Sequence, residues 1–236
     1  MISKGEVLLI LSAMQQEHEA VVMNMTQPHQ FVKYGITIVE GSLFGKHCVA
    51  ALSGVGKVAS AVTSQYLIEQ YHPVALIFTG VGGALNPRFE IGDIVISKDC
   101  VQHDMDGRGL GFKRGEVPYS GYRFFESDLK LLTIATEAKC EHTIHIGRIL
   151  TGDQFITNKD QTDFAYMTDE FKGDVVDMEG AAVAYVCQLH QIPFVIVRTI
   201  SDKANNEAPE SFEAFLPEVV GNSITIIRHI LLNSPY

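Results

Sequence analysis

The sequence predicts a single α/β domain built on a central mixed, mostly parallel β-sheet flanked by helices. Three observations lead there. The 236 residues are 46% hydrophobic and 19% charged, enough apolar chain to bury one substantial core and within the range of single-domain α/β architectures. Short apolar runs recur, and several lack the alternation that a strand with one wet face would show, so they belong in the middle of a covered sheet. Between those runs lie segments with apolar residues at spacings of three and four, the pattern of helices packed by one face.

In chain order, strands are expected at Val7–Leu11, Ile36–Val39 and His47–Leu52, followed by a helix over Val58–Gln70. Further strands are expected at Val74–Phe78 and Asp93–Ile96. The stretch from Asp104 to Tyr122 is long and rich in glycine and reads as a loop; loops of that length inside one domain usually serve function or contact a partner. A helix over Glu126–Cys140 and a strand over Ile144–Leu150 follow. The apolar pair Val175-Val176 leads into a helix over Glu179–His190, then a strand over Phe194–Val197 and a last helix over Phe212–Leu232. No linker, low-complexity tract or internal repeat divides residues 1–236.

A net charge of −10 argues against a nucleic-acid partner, since affinity for phosphate backbones comes largely from Lys and Arg. A small-molecule substrate fits better. Cys48, Cys100, Cys140 and Cys187 are widely separated and form no CxxC pair, so they read as buried free thiols of a reduced compartment. Met1 to Glu6 lack a basic region leading into an apolar stretch, and no apolar run approaches the roughly 20 residues that span a bilayer. No membrane partner is expected, and a cytoplasmic location is expected by default.

Two glycine clusters invite comparison with phosphate-binding loops, and neither satisfies one. Gly80, Gly82 and Gly83 follow a strand, where open α/β sheets bind ligands and a sharp turn is expected, but the third glycine of a dinucleotide fingerprint would fall at Leu85. Gly54-Val55-Gly56-Lys57 resembles half a phosphate loop, yet Ala51 stands where the first glycine is required and Val58 follows the lysine.

Carboxylates near strand ends are more telling. Asp177 and Glu179 sit between an apolar strand and a helix whose first turn is all small side chains; alone, they could merely complement that helix's positive end. Asp202 ends the polar tetrad after Phe194–Val197, where Ser201 and Asp202 also suit a helix cap. Glu17 follows the first strand, where a solvated acid in a helical turn is the plainer reading. If the sheet is parallel at those strands, all three carboxylates reach one edge, a convergence harder to dismiss than any single residue.

Several runs, taken together and in order, resemble one family: Ser12-Ala13-Met14 through Glu17, Ser53–Ala59, Thr79-Gly80, Ile91–Val95, Thr151–Ile156, Asp177-Met178-Glu179 and Val197–Asp202. The resemblance is to the bacterial methylthioadenosine/S-adenosylhomocysteine nucleosidases, and it spans nearly the whole chain. It implies a nucleoside phosphorylase-like three-layer sandwich, hydrolysis of the N-glycosidic bond of an adenine nucleoside, no cofactor and no metal. By resemblance, Asp202 would protonate adenine N7 and Glu17 would orient and activate the attacking water. Glu179, beside Met178, would hold the ribose hydroxyls, with Arg198 positioning Glu179. Phe155 would stack on the purine while backbone groups of Ile156 read its Watson–Crick edge, and Met14, Val55, Val81, Gly82 and Ser201 would complete the lining. Phe212 would lid the pocket, although a core aromatic at a helix start explains it equally well. The loop from Asp104 to Tyr119 would cross to a neighbouring subunit of a homodimer, bringing Leu110 and Phe112 to the 5′ substituent.

The chemistry is consistent with those roles. Departure of adenine leaves an oxocarbenium-like sugar and puts negative charge on the purine, so a proton donor is worth about 10² to 10⁴ in rate. Asp202 must then be protonated and Glu17 at least partly ionised, which unlike surroundings can arrange. Within the same superfamily, phosphorylases bind phosphate through arginines on the first and the Gly-rich loop; here Ser12–Glu19 and Gly80–Leu85 hold no Lys or Arg, which favours water. The chain departs from the family at Asp177, usually Glu, and at Val81 and Gly82, often Ser and Ala. His142 with His145, and His103 with Asp104 and Asp106, lack a convincing third ligand, and no metal is expected. A hydrolase of aminodeoxyfutalosine on the same scaffold is the closest rival, and a non-catalytic nucleoside sensor a more distant one.

Overall fold

The structure, a computed structural model, describes residues 7–236; the Met1–Glu6 segment considered above lies outside them. Strand β1 (Leu8–Ser12) is buried on both faces, with Leu9 and Leu11 in one apolar cluster and Leu8 and Ile10 in another. Burial from both sides removes any reason for polar alternation, which is why the run lacks it. β1 pairs in parallel with β4 (Lys46–Leu52) on one side and with β5 (Ala75–Ala84) on the other.

From β5 the sheet closes on itself. β5 runs parallel to β10 (Phe194–Asp202), which is antiparallel to β6 (Ile94–Gln102). β6 runs parallel to β8 (Ile144–Thr151), β8 parallel to β9 (Val175–Asp177), and β9 returns antiparallel to β5. β4, β3 (Ile36–Leu43) and β2 (Met25–Lys33) extend as an antiparallel arm, and the short β7 (Phe125–Glu126) pairs with β6. The sheet is mixed, as expected. Its balance differs from mostly parallel: five of the ten pairings among the described residues are antiparallel, because the arm folds back through tight hairpins and the barrel must reverse direction to close.

Helix α1 (Gln15–Val22) follows β1, and α2 (Lys57–Tyr71) packs against α5 (Gly180–His190). The expected helix over Glu126–Cys140 is shorter, α3 (Leu129–Thr136): Asp128 accepts the N–H groups of Lys130 and Leu131 and so starts the helix, while Phe125 and Glu126 are drawn into β7. A single turn, α4 (Tyr166–Asp169), precedes β9. The expected last helix is two, α6 (Ala208–Val219) and α7 (Asn222–Asn233), separated where Pro217 lacks a backbone donor and Gly221 favours a break. Among the described residues no single helix is long and apolar enough to cross a membrane.

The largest correction concerns the glycine cluster. No sharp turn follows Phe78; β5 continues straight through Gly80, Gly82 and Gly83 to Ala84. These glycines serve close approach instead. A Cβ at Gly80 would stand 2.9 Å from Glu17 Oε1, at Gly82 2.7 Å from Val175 Cγ1, and at Gly83 2.8 Å from Asp202 Oδ1. Of the cysteines, Cys48, Cys100 and Cys187 are buried free thiols as expected, whereas Cys140, also free, is only half-buried.

Candidate active site

Glu17 enters from the first turn of α1, where its carboxylate closes a loop onto its own helix start. Its Oε2 accepts the N–H groups of Ala13 and Met14, both at 2.9 Å, and Oε1 accepts the N–H of Val81 at 3.0 Å. It is 3% exposed, which excludes the solvated acid of the plainer reading. Burial raises its pKa, while the Met14 N–H and the nearby Arg198 guanidinium pull it back.

Asp202 ends β10 and is held on both oxygens: Oδ1 accepts the N–H of Ala204 at 2.8 Å and Oδ2 the Ser201 hydroxyl at 2.9 Å. Burial raises its pKa too, against the opposing Ala204 and Ser201 contacts. Ser201 and Asp202 therefore cap no helix; both remain within the strand.

Glu179 stands at the entry to α5, its Oε1 accepting the Gly56 N–H at 2.9 Å. Burial first, and then the negative charge of Asp177, push it up to about 7. Arg198, 1% exposed, takes Asp177 as its main partner: Nε donates to Asp177 Oδ2 at 2.9 Å, a second guanidinium nitrogen lies 2.8 Å from the same oxygen, and Glu179 Oε2 is 3.9 Å away. Arg198 thus pairs first with Asp177 and reaches Glu179 as a longer ion pair. Asp177 ends β9 within reach of Arg198 on β10, while the Glu179 carboxylate accepts the Gly56 N–H with one oxygen and faces Arg198 with the other. Thr151 and the Gly180 N–H complete the grip on Asp177, at 2.5 and 2.9 Å.

The expected convergence occurs, by a different route for one member. β1, β5 and β10 are parallel and bring Glu17 and Asp202 to one end of the sheet. β9 runs antiparallel to β5, and Glu179 arrives there because the barrel closes, through the pairing of Val176 with Gly83.

These side chains open into one cavity of about 430 Å³. It is lined by Glu17, Asp202, Glu179, Met178, Phe155, Ile156, Val81, Gly82, Met14, Val55, Ser201 and Phe212, all expected from the sequence. Phe155 is 44% exposed and meets the edge of Phe212 at 5.6 Å between ring centroids, so a flat ring could slide between the aromatic pair and the carboxylates. Arg198 lies behind the lining. Leu110 and Phe112 do not line this chain's own cavity; Leu110 is exposed and Phe112 packs edge-on against Tyr119.

Sequence reasoning missed Ala13, Gly83, Gln154, Val176, Pro209 and Glu213 as lining residues, and gave Asp177 no place in the pocket. Pro209 and Glu213 had a legible signal, since they fall three before and one after Phe212 and share its helix face. The lining holds five carboxylates, those of Glu17, Asp177, Glu179, Asp202 and Glu213, and no Lys or Arg.

Several of the groups set aside as phosphate or metal sites have partners. The Lys57 N–H at the half phosphate loop is taken by the Asp153 carboxylate at 3.0 Å, which sets a negative charge at that helix start. His145 pairs with Asp93 at 2.8 Å and stacks on Phe89, and His103 meets the Tyr166 hydroxyl at 2.8 Å.

The family model of the phosphorylase superfamily matches residues 7–232. The 5′-methylthioadenosine/S-adenosylhomocysteine nucleosidase of Shewanella sediminis is 36% identical over 226 residues, covering 94% of this chain and 97% of the relative. The crystal structure of the nucleosidase of that name from Neisseria meningitidis, in complex with methylthio-immucillin-A, superposes with a TM-score of 0.91 at 32% identity, covering 96% of this chain and 98% of that one. The native structure of futalosine hydrolase from Helicobacter pylori superposes with a TM-score of 0.90 at 31% identity, covering 96% and 97%.

Proposed function

The chain belongs to the phosphorylase superfamily, within its 5′-methylthioadenosine/S-adenosylhomocysteine nucleosidases, and on that premise we propose that it hydrolyses the N-glycosidic bond of those two nucleosides and releases adenine. One observation carries the reading: two buried carboxyls, Glu17 and Asp202, face a single nucleoside-sized cavity whose lining contains no cation. A phosphorylase needs positive charge to hold phosphate beside the sugar, and a lining with acidic side chains and no Lys or Arg supplies none.

In this mechanism Asp202, whose pKa is raised by burial, donates its proton to adenine N7 as the glycosidic bond lengthens. The leaving base departs neutral, and the electron deficiency stays on the sugar. Glu17 accepts a proton from water poised against the anomeric carbon; its three backbone contacts hold the carboxylate in one orientation. Glu179 takes the ribose hydroxyls, Phe155 stacks on the purine, Ile156 reads its edge, and Phe212 closes over it. No step requires a cofactor.

A homodimer completes the site. Leu110 and Tyr119 on the 104–122 loop are 69% and 85% exposed, and Val58 and Val62, one turn apart on α2, are 76% and 60% exposed. A second copy covering this apolar surface could bring Leu110 and Phe112 to the 5′ end of the neighbour's substrate.

Aminodeoxyfutalosine is the second reading, favoured by the likeness to the Helicobacter pylori futalosine hydrolase. Incubation with methylthioadenosine, S-adenosylhomocysteine and aminodeoxyfutalosine, each with and without inorganic phosphate, tests both. Phosphate-independent release of adenine from the first two supports the proposal; ribose-1-phosphate formation or cleavage of aminodeoxyfutalosine alone overturns it.

A further inference from the structure

Lys57 has no role in the reading above, although it ends the Gly54–Lys57 turn beside the cavity. Its ammonium stands 2.6 Å from Asp104 Oδ1 and 3.4 Å from Asp153 Oδ2. Two backbone contacts close the ring: the Lys57 N–H donates to Asp153 Oδ1 and the Asp153 N–H to Asp104 Oδ2, each at 3.0 Å. The start of α2 and the segments beyond β6 and β8 are thereby tied at one point. Gly56 has no side chain to cap α2, and the Asp153 carboxylate supplies the acceptor at the helix's positive end. It also packs on the turn, since a Cβ at Gly56 would lie 3.4 Å from Asp153 Oδ1. The next N–H back along the chain, that of Gly56, is the one that Glu179 accepts at 2.9 Å.

We propose that Lys57 is a positioning residue for Glu179: its ammonium binds Asp104 and Asp153 together, that pair fixes the Gly54–Lys57 turn, and the Gly56 N–H of the turn aims Glu179 at the ribose hydroxyls. The inference rests on the reading of Glu179 as the ribose clamp. Lys57 does not line the cavity, so its effect must pass through the turn. Asp153 precedes Phe155 by two residues, so the same ammonium links the ribose clamp to the aromatic wall of the site, and Asp104 ties both to the start of the 104–122 loop.

A double-mutant cycle separates positioning from general structural support. Affinity for a carbon-linked analogue of methylthioadenosine, which cannot be hydrolysed, is measured calorimetrically for the wild type, Lys57→Met, Glu179→Gln and the double variant. Lys57→Met is expected to weaken binding about tenfold, the worth of one charge-assisted hydrogen bond. With Glu179→Gln already present, the same change should weaken it less than about twofold. Lys57→Arg should restore most of the affinity. Equal losses in both backgrounds, or no loss in the first, overturn the proposal. If Lys57→Met does not fold, Asp104→Asn, which removes one partner at the rim, enters the cycle under the same criteria. A wild type that binds the analogue but releases no adenine from methylthioadenosine defeats the nucleosidase reading and leaves the cycle decisive for Lys57. Adenine release with an additive cycle defeats Lys57 alone, and a wild type that does not bind the analogue defeats both.

Discussion

At the scale of single residues, burial raises the pKa of both carboxyls, and they differ in the donors that pull each one back. Asp202 takes one backbone N–H and one hydroxyl, whereas Glu17 takes three backbone N–H groups, and charge-directed donors of that kind favour the ionised form. Asp202→Asn is expected to lower kcat by about 10² to 10⁴ without lowering the thermal unfolding midpoint. Glu17→Gln should be as inactive, and near-normal adenine release by either purified variant would remove that residue from the mechanism. Glu179 yields a prediction about stability. Its folded pKa of about 7 lies above the ordinary 4.5, so the protein binds this proton more tightly folded than unfolded. The resulting stabilisation is complete below 4.5 and is lost as pH rises through 7. Denaturant unfolding of Glu179→Gln should therefore lose less stability than the wild type across that window, and parallel curves would contradict the buried-carboxyl account. Glu17, Glu179 and Asp202 were legible in the sequence because each sits at a strand end within an ordered set of motifs. The pairing of Arg198 with Asp177 was not, since it depends on β9 ending within reach of β10 inside a closed barrel.

Among the elements, β5 decides most. Its central position was plain from the unbroken apolar run Ala75–Phe78, but its length was hidden. Glycines after a strand ordinarily signal a turn, and nothing local shows that Glu17, Val175 and Asp202 will crowd against a continuing strand. Gly82→Ala places a methyl 2.7 Å from Val175 Cγ1 and 3.0 Å from the Val176 carbonyl oxygen. It should cost about 1–3 kcal/mol of stability, read from the urea midpoint, because the backbone atom cannot yield as a flexible side chain could. Unchanged stability would mean that β9 is looser against β5 than their pairing implies. Helix boundaries were less legible for a related reason: Asp128 and Gly221 set them through capping and backbone freedom, whereas periodicity continues smoothly across both. β2 went unseen because it is an exposed edge strand carrying Pro28 and little apolar alternation.

For the whole molecule, the sequence supported a mixed α/β sheet but not its closure. Open and closed sheets share the same apolar strands and differ only in whether β9 finds β5, a long-range pairing of two residue pairs. That closure brings Glu179 to the edge already shared by Glu17 and Asp202. Assembly is a separate matter at this scale. If the 104–122 loop completes a neighbour's pocket, Leu110→Asp should raise KM for methylthioadenosine while leaving the isolated fold intact, and sedimentation should show a weakened dimer. An active monomer at the same protein concentration would contradict that assignment.

The account turns on water, steered by Glu17, attacking the sugar as Asp202 protonates the base. Turnover of methylthioadenosine in water enriched in heavy oxygen, followed by mass analysis of both products, tests this most directly. One labelled oxygen on the released sugar, none on adenine, and turnover lowered by about 10² to 10⁴ in Asp202→Asn and Glu17→Gln is the predicted result. A phosphorylated sugar, an unlabelled one, or undiminished turnover by either variant would contradict it.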